Sequence, residues 1–201
     1  MKNPFRFFSR KSLIDRLLEA IEIGDPKKIS DLLLRNPDLA GQKNKYGMSP
    51  LMYAVLRGSQ ESTKVLLEKG ANPNQIHEHG STPLMVSVLE EQIEILPLLL
   101  AHPQILLDRQ DLHGATALMY ACRQGRINLM TLLLEAGADP NLRDVEGETA
   151  LMYAVGLNQV ELIEILLLHG AEVGIKNFDG LSVIDKTRDE GIIRLLERHS
   201  H

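Results

Sequence analysis

A glycine returns along the chain at nearly constant intervals: Gly47, Gly80, Gly114, Gly147 and Gly180 stand 33, 34, 33 and 33 residues apart. Four residues after each comes Leu51, Leu84, Leu118, Leu151 or Ile184. Ser49-Pro50-Leu51-Met52, Thr82-Pro83-Leu84-Met85, Thr116-Ala117-Leu118-Met119 and Thr149-Ala150-Leu151-Met152 hold one register within those frames. A fixed period of this length marks an array of small units, none of which can bury its apolar faces without a neighbour.

Each unit reads as two helices. The Ser or Thr before the apolar run can accept a hydrogen bond from an orphan backbone N–H, and Pro at the first helical position gives up a donor that had no partner anyway. A first helix therefore starts there. Ala54, Ser87, Ala121 and Ala154 are small enough to let a neighbour approach, and Gly58 or Gly125 stops the helix, with Glu91 and Asn158 in the same place elsewhere. The runs Glu61 to Leu67, Glu94 to Leu100, Asn128 to Leu134 and Glu161 to Leu167 are amphipathic and end in paired or tripled leucines, expected on a buried face. Gly70-Ala71, Gly137-Ala138 and Gly170-Ala171 end them, and Asn72-Pro73-Asn74 and Asp139-Pro140-Asn141 continue as turns. Aromatics are only 4% of the chain and Trp is absent, so the core must come from Leu, Ile, Val, Ala and Met.

These units resemble the ankyrin repeat, in which a Gly precedes Thr-Pro-Leu-His and a Leu-Leu-x-x-Gly-Ala follows. The resemblance runs from Asn44 to about His199 and implies an all-α fold, an ankyrin-repeat solenoid of stacked helix-turn-helix units with β-hairpin loops. One departure is systematic: Met52, Met85, Met119 and Met152, then Asp185, stand where the family has His. Apolar packing is expected in place of the hydrogen bonding credited to that His. The expected organisation is a basic and aromatic tail (1–11), an N-terminal cap (12–43), repeats at 44–76, 77–110, 111–143 and 144–176, and a C-terminal cap (177–201). Ser12 with Asp15, Asp25-Pro26 and Leu32-Leu33-Leu34 outline the first cap; Ser182-Val183-Ile184 and Ile192 to Leu196 outline the last. The 77–110 frame is irregular, with Pro97 inside its second helix, Pro103 where Gly should stand and one extra residue before Asp111. An interior Pro costs a helix about 3 kcal/mol, so this helix must start late or bend.

Catalytic constellations are missing from the sequence. It has no Gly-x4-Gly-Lys-Ser/Thr phosphate loop, no Gly-x-Ser-x-Gly elbow and no His-Glu-x-x-His helix, so no enzyme is expected. Asp139, Asn141, Asp144 and Gly147 imitate a calcium loop, but Arg143 occupies the fifth ligand position and the Gly comes late, which leaves a repeat turn. His77, Glu78, His79 and His113 are zinc-ligand types, yet His79 and His113 fall on neighbouring loop tips, expected about 10 Å apart as for stacked helices. Neither metal nor cofactor is expected. Cys122, the single thiol, falls at a small core position and reads as buried and inert; one thiol forms no internal disulfide, which fits a reducing compartment. Tyr53, Tyr120 and Tyr153, with Val86 in the matching slot, form a ladder read as inter-repeat packing. A formal charge of −5 gives no attraction to phosphate, so nucleic acid is not an expected partner. The densest apolar stretch, Ile93 to Leu107, is broken by Pro97 and Pro103 and does not reach the roughly 18 to 20 residues of a membrane span.

The resemblance implies a partner protein docked on a concave side made by the loop tips and first-helix ends. Carried over position by position, this predicts partner contacts at Tyr46, Met48, Leu56, Arg57, His79, Leu89, Glu90, Leu112, His113, Arg123, Gln124, Val145, Glu146, Leu157 and Phe178. These slots differ from frame to frame while the scaffold slots do not. Several are large and apolar where water should be, the mark of an interaction patch. Tyr46, Arg57, Arg123 and Phe178 are the expected anchors, because aromatic and Arg side chains carry most interface energy. The expected function is a monomeric, cytoplasmic protein-interaction scaffold or adaptor of bacterial type, with delivery into a host cell as a further implication. The alternative is a peripheral membrane adaptor anchored by Phe5, Phe7 and Phe8 with their basic neighbours.

Overall fold

A computed structural model describes residues 11–200, which divide into two compact units, one up to Asn72 and one from Pro73 onward.

The first unit holds four helices. Helix α1 (Leu13–Glu22) begins at a capping box: Ser12 Oγ accepts from the Asp15 N–H, and the Asp15 carboxylate accepts in return from the Ser12 backbone. Asp25 caps α2 (Pro26–Arg35), and a 3-10 turn, Pro37–Gly41, follows. Helices α3 (Pro50–Leu56) and α4 (Gln60–Glu68) complete the unit. The first helices of successive repeats pack together, α1 on α3, and the second helices do the same, α2 on α4. Leu17, Ile21, Ile29, Leu33, Leu51 and Leu66 meet in one core at 2% exposure or less. Burying such side chains is worth about 1.5–3 kcal/mol each, against which isolated helices this short would not form.

The second unit repeats the scheme with α5 (Pro83–Leu89), α6 (Leu96–Leu100), α7 (Ala117–Arg123), α8 (Ile127–Glu135), α9 (Ala150–Gly156) and α10 (Val160–Leu168). It closes on a 3-10 turn, Ile184–Lys186, and α11 (Glu190–Glu197). Helix α5 packs on α7 and α7 on α9; α6 packs on α8 and α8 on α10. The recurrent hydroxyls cap as expected: Ser49, Thr82, Thr116 and Thr149 each accept from the backbone N–H three residues on, at 3.2, 3.2, 3.2 and 3.4 Å.

The four recurrent methionines are buried to 2% exposure or less, as apolar packing requires. Two also do part of what a polar residue would do there. Met85 Sδ accepts from the Thr82 N–H at 3.4 Å and Met119 Sδ from the Thr116 N–H at 3.5 Å, so a weak sulfur acceptor closes the cap. Pro97 does not bend its helix. Helix α6 starts late, at Leu96, which places the proline in the first turn where no donor is missed.

The four leucine runs bury Leu66, Leu99, Leu133, Leu134, Leu166 and Leu167; Leu34, in the first cap, and Leu168, just past the last run, are 73% and 82% exposed, because three consecutive residues span about 200° around a helix. Two expectations need correction. The segment at Ser182-Val183-Ile184 opens only a single 3-10 turn, since Asp185 ties back to Ser182 and Thr187 leaves the helical region. The hairpin loops are tight turns rather than paired strands, with one isolated bridge, Lys176 to Ser182, among the described residues.

Candidate protein-interaction surface

The turn at each loop tip is built by its first residue. Asn44, Asp111, Asp144 and Asn177 each use one side-chain oxygen to accept two backbone N–H groups, two and four residues ahead, at 2.8–3.1 Å. This is an Asx turn, which holds the loop without a strand. The glycine three residues on adopts a left-handed φ, +80° at Gly147, and at Gly114 and Gly147 it lets the next loop approach closely. A Cβ on Gly147 would lie 2.7 Å from the Phe178 nitrogen.

Within the second unit these loops are joined by a backbone ladder. The Leu112 N–H donates to the His79 carbonyl at 3.3 Å, Val145 to His113 at 3.0 Å, and Phe178 to Glu146 at 3.1 Å. Leu112, Val145 and Phe178 thus hold one position in three consecutive tips, and they are 67%, 58% and 66% exposed. Neighbouring strand-like segments lie within about 5 Å of one another in such a ladder, so the three side chains form a row. The Arg143 guanidinium lies 5.2 Å from the centre of the Phe178 ring and donates to the Lys176 carbonyl at 3.3 Å.

Behind the row, two open hollows share the walls Arg123, Glu146 and Tyr153. One, about 390 Å³, continues to His113, Tyr120 and Val145; the other, about 520 Å³, continues to Leu157, Leu181 and Lys186. Arg123, Gln124, His79, His113, Glu90, Glu146 and Leu157 are exposed. Leu89 is half-buried instead, because it sits in the last turn of α5, beside the neighbouring repeat. In the first unit, Tyr46 is 59% exposed with the Lys45 ammonium 4.9 Å from its ring centre. Arg57 is exposed and paired with Glu22 at 3.5 Å. Met48 and Leu56 are half-buried, so neither offers the open apolar surface that the sequence suggested.

Two features escaped sequence reading. The ladder tyrosines are anchors of the loops as well as packing groups. The Tyr120 hydroxyl donates to Asp111 Oδ2 at 2.5 Å, and the Tyr153 hydroxyl donates to the matching carboxylate oxygen of Asp144. Burial first, then the hydrogen bond and charge of Asp111, push the Tyr120 phenol up to about 12; Tyr153 is raised further, by burial and then by Asp144. Both phenols stay neutral donors at physiological pH. The available signal was the shared nine-residue spacing of Asp111 from Tyr120 and of Asp144 from Tyr153. The second feature is Glu148, the residue after its tip glycine. It is buried, accepts from the Asn177 amide at 2.8 Å and pairs with Lys186 at 2.5 Å, which locks the 144–148 loop to the next one.

Cys122 is fully buried, and burial alone raises its thiol pKa well above the free value, so thiolate chemistry is disfavoured. The His77 and His79 rings stack at a tilt, 5.5 Å between centroids. Among the described residues no three His, Cys, Asp or Glu side chains are grouped to hold a metal ion, and no helix is long and apolar enough to cross a membrane. The tail with Phe5, Phe7 and Phe8 lies outside the described residues.

Stacked helix pairs joined by tight, laddered tips define a helical repeat protein. The family pattern described as "Ankyrin repeats (3 copies)" matches residues 17–111 and 104–177, and the chain belongs to the ankyrin-repeat family. Among solved structures, EF0377, an ankyrin repeat protein, is 28% identical with a TM-score of 0.82, covering 95% of this chain and 100% of that one. The ankyrin repeat domain of Bcl-3, titled a unique member of the IkappaB protein family, is 26% identical with a TM-score of 0.84, covering 92% and 85%. Human transient receptor potential cation channel subfamily A member 1 is 34% identical over 99 residues, 49% of this chain. The rice E3 ubiquitin-protein ligase XB3 is 30% identical over 165 residues, 59% of this chain. This chain covers only 9% of the channel and 37% of the ligase. Ankyrin repeats are in general non-enzymatic modules for protein–protein interaction, and these relatives are diverse.

Proposed function

We propose that this protein is an adaptor that binds a partner protein through its loop tips and first-helix ends, and that it does so in the cytoplasm. The observation that carries the reading is the exposed row Leu112, Val145 and Phe178, held in line by backbone hydrogen bonds beside Arg123. Large apolar side chains kept in water at one slot of three successive tips, while the scaffold slots stay constant, favour a partner that covers them. The row sits on rigid turns, so little conformational entropy is lost on docking. The lone buried thiol supports a reducing compartment.

The test is affinity capture with the full chain as bait, followed by calorimetry with the captured partner. Phe178→Ala and Arg123→Ala should each weaken binding by about 1–3 kcal/mol without changing the unfolding midpoint. A partner that binds both variants as tightly as it binds the parent chain would remove this surface assignment.

A further inference from the structure

The charges of the chain are unevenly divided. Residues 1–72 carry 13 Lys and Arg against 8 Asp and Glu, a formal +5, whereas residues 73–201 carry 9 against 19, a formal −10. Within the second unit, Lys186 is the tip cation neutralised by a carboxylate, whereas Arg143 and the exposed Lys176 form no salt bridge among the described residues. Lys186 is held by Glu148, and Arg143 lies over Phe178 and on the Lys176 carbonyl. The carboxylates beside the apolar row are not held in this way. Glu78, Glu146 and Asp179 are exposed tip residues, and none forms a salt bridge among the described residues. Arg123 is the opposing charge, at the wall that it shares with Glu146.

From this juxtaposition we infer that the tip face of the second unit takes a cationic, amphipathic segment of the partner protein, with apolar side chains on Leu112, Val145 and Phe178 and Lys or Arg against Glu78, Glu146 and Asp179. This deepens the adaptor reading and rests on it. Two lengths of interaction point the same way. At contact range, the two hollows are walled by the carboxylates of Asp144, Glu146, Glu148 and Asp185 against the cations of Arg123 and Lys186. At the range of a Debye length, about 8–10 Å, the excess of acidic residues steers cations toward the face and repels acidic segments. Arg123 then sets register, since a partner cation is excluded from its immediate surroundings and an acidic or carbonyl group is accepted there.

Two short synthetic peptides of equal apolar content, one alternating Lys with Leu and the other Glu with Leu, test this by fluorescence anisotropy on the full chain. The Lys–Leu peptide should bind and the Glu–Leu peptide should not. Raising sodium chloride from about 50 to about 300 mM should weaken binding about tenfold, because exposed ion pairs are screened. Glu146→Lys should weaken it about fivefold, while Glu164→Lys, on the exposed side of α10, should change it less than about twofold. Equal losses from both reversals would show a diffuse field rather than a tip-face contact and overturn the inference, as would the absence of Lys–Leu binding. Glu–Leu binding abolished by Phe178→Ala would leave the interaction surface standing and refute only the cationic partner. Lys–Leu binding indifferent to Phe178→Ala would refute the surface itself. Self-association at assay concentration, measured by sedimentation velocity and lost in Glu146→Lys, would seat a second copy there and overturn the assignment to a partner protein.

Discussion

Replacing Gly147 by Ala isolates what the close approach of successive loops contributes. Gly147 has φ +80°, a conformation that costs an L-residue about 1–2 kcal/mol. Its added Cβ would also stand 2.7 Å from the Phe178 nitrogen and 3.0 and 3.1 Å from Asn177 Cα and C, all of them backbone atoms that no rotamer change can withdraw. Relief requires the next loop to move off, lengthening the 3.1 Å hydrogen bond from Phe178 to Glu146, a loss of about 1 kcal/mol, with overpacking strain of about 1–3 kcal/mol on either side of that movement. Gly170 is the control. It has φ +85°, and a Cβ there meets nothing within 4 Å, so Gly170→Ala bears the backbone penalty alone. Urea unfolding followed by circular dichroism should place Gly147→Ala about 2–3 kcal/mol below Gly170→Ala. For a chain of this length that difference is worth roughly 4–12 °C in Tm. Equal midpoints with unchanged slopes for the two variants would refute the claim that contact between loops, rather than the left-handed conformation, is what demands glycine at position 147.

The buried phenols give a pH dependence of definite sign. Because Tyr120 is raised to about 12 and Tyr153 beyond it, their contribution is full below pH 10, where phenols of the unfolded chain are still protonated. It falls away as pH climbs through 10 and past 12, the unfolded chain releasing protons first. The Tyr120→Phe/Tyr153→Phe variant should lose about 1–3 kcal/mol at neutral pH and show a flatter decline in urea stability between pH 9 and 11; an identical decline would contradict the assignment. Cys122 should resist iodoacetamide at pH 8 in the folded chain and react fully in denaturant, and rapid labelling of native protein would show that its thiol is not enclosed as described.

Much of this protein was legible in its sequence, because the features involved are local. The capping hydroxyls at Ser49, Thr82, Thr116 and Thr149 and the glycine stops each act within one turn of chain, so residue type and spacing fix them, whereas Pro97 left a late start and a bend both open. The exposure of Leu112, Val145 and Phe178 was readable for the same reason, as apolar residues at a turn position with no helix face to join. The half-burial of Leu56 and Leu89, the enclosure of Glu148 by Asn177 and Lys186, and the paired hydroxyls of Tyr120 and Tyr153 were not. The periodicity of the chain dictated that two-helix units would stack and where each would begin and end. Only stacking decided which polar groups became enclosed, because the partner that buries Glu148 lies about thirty residues away and comes within reach only once one loop is laid on the next.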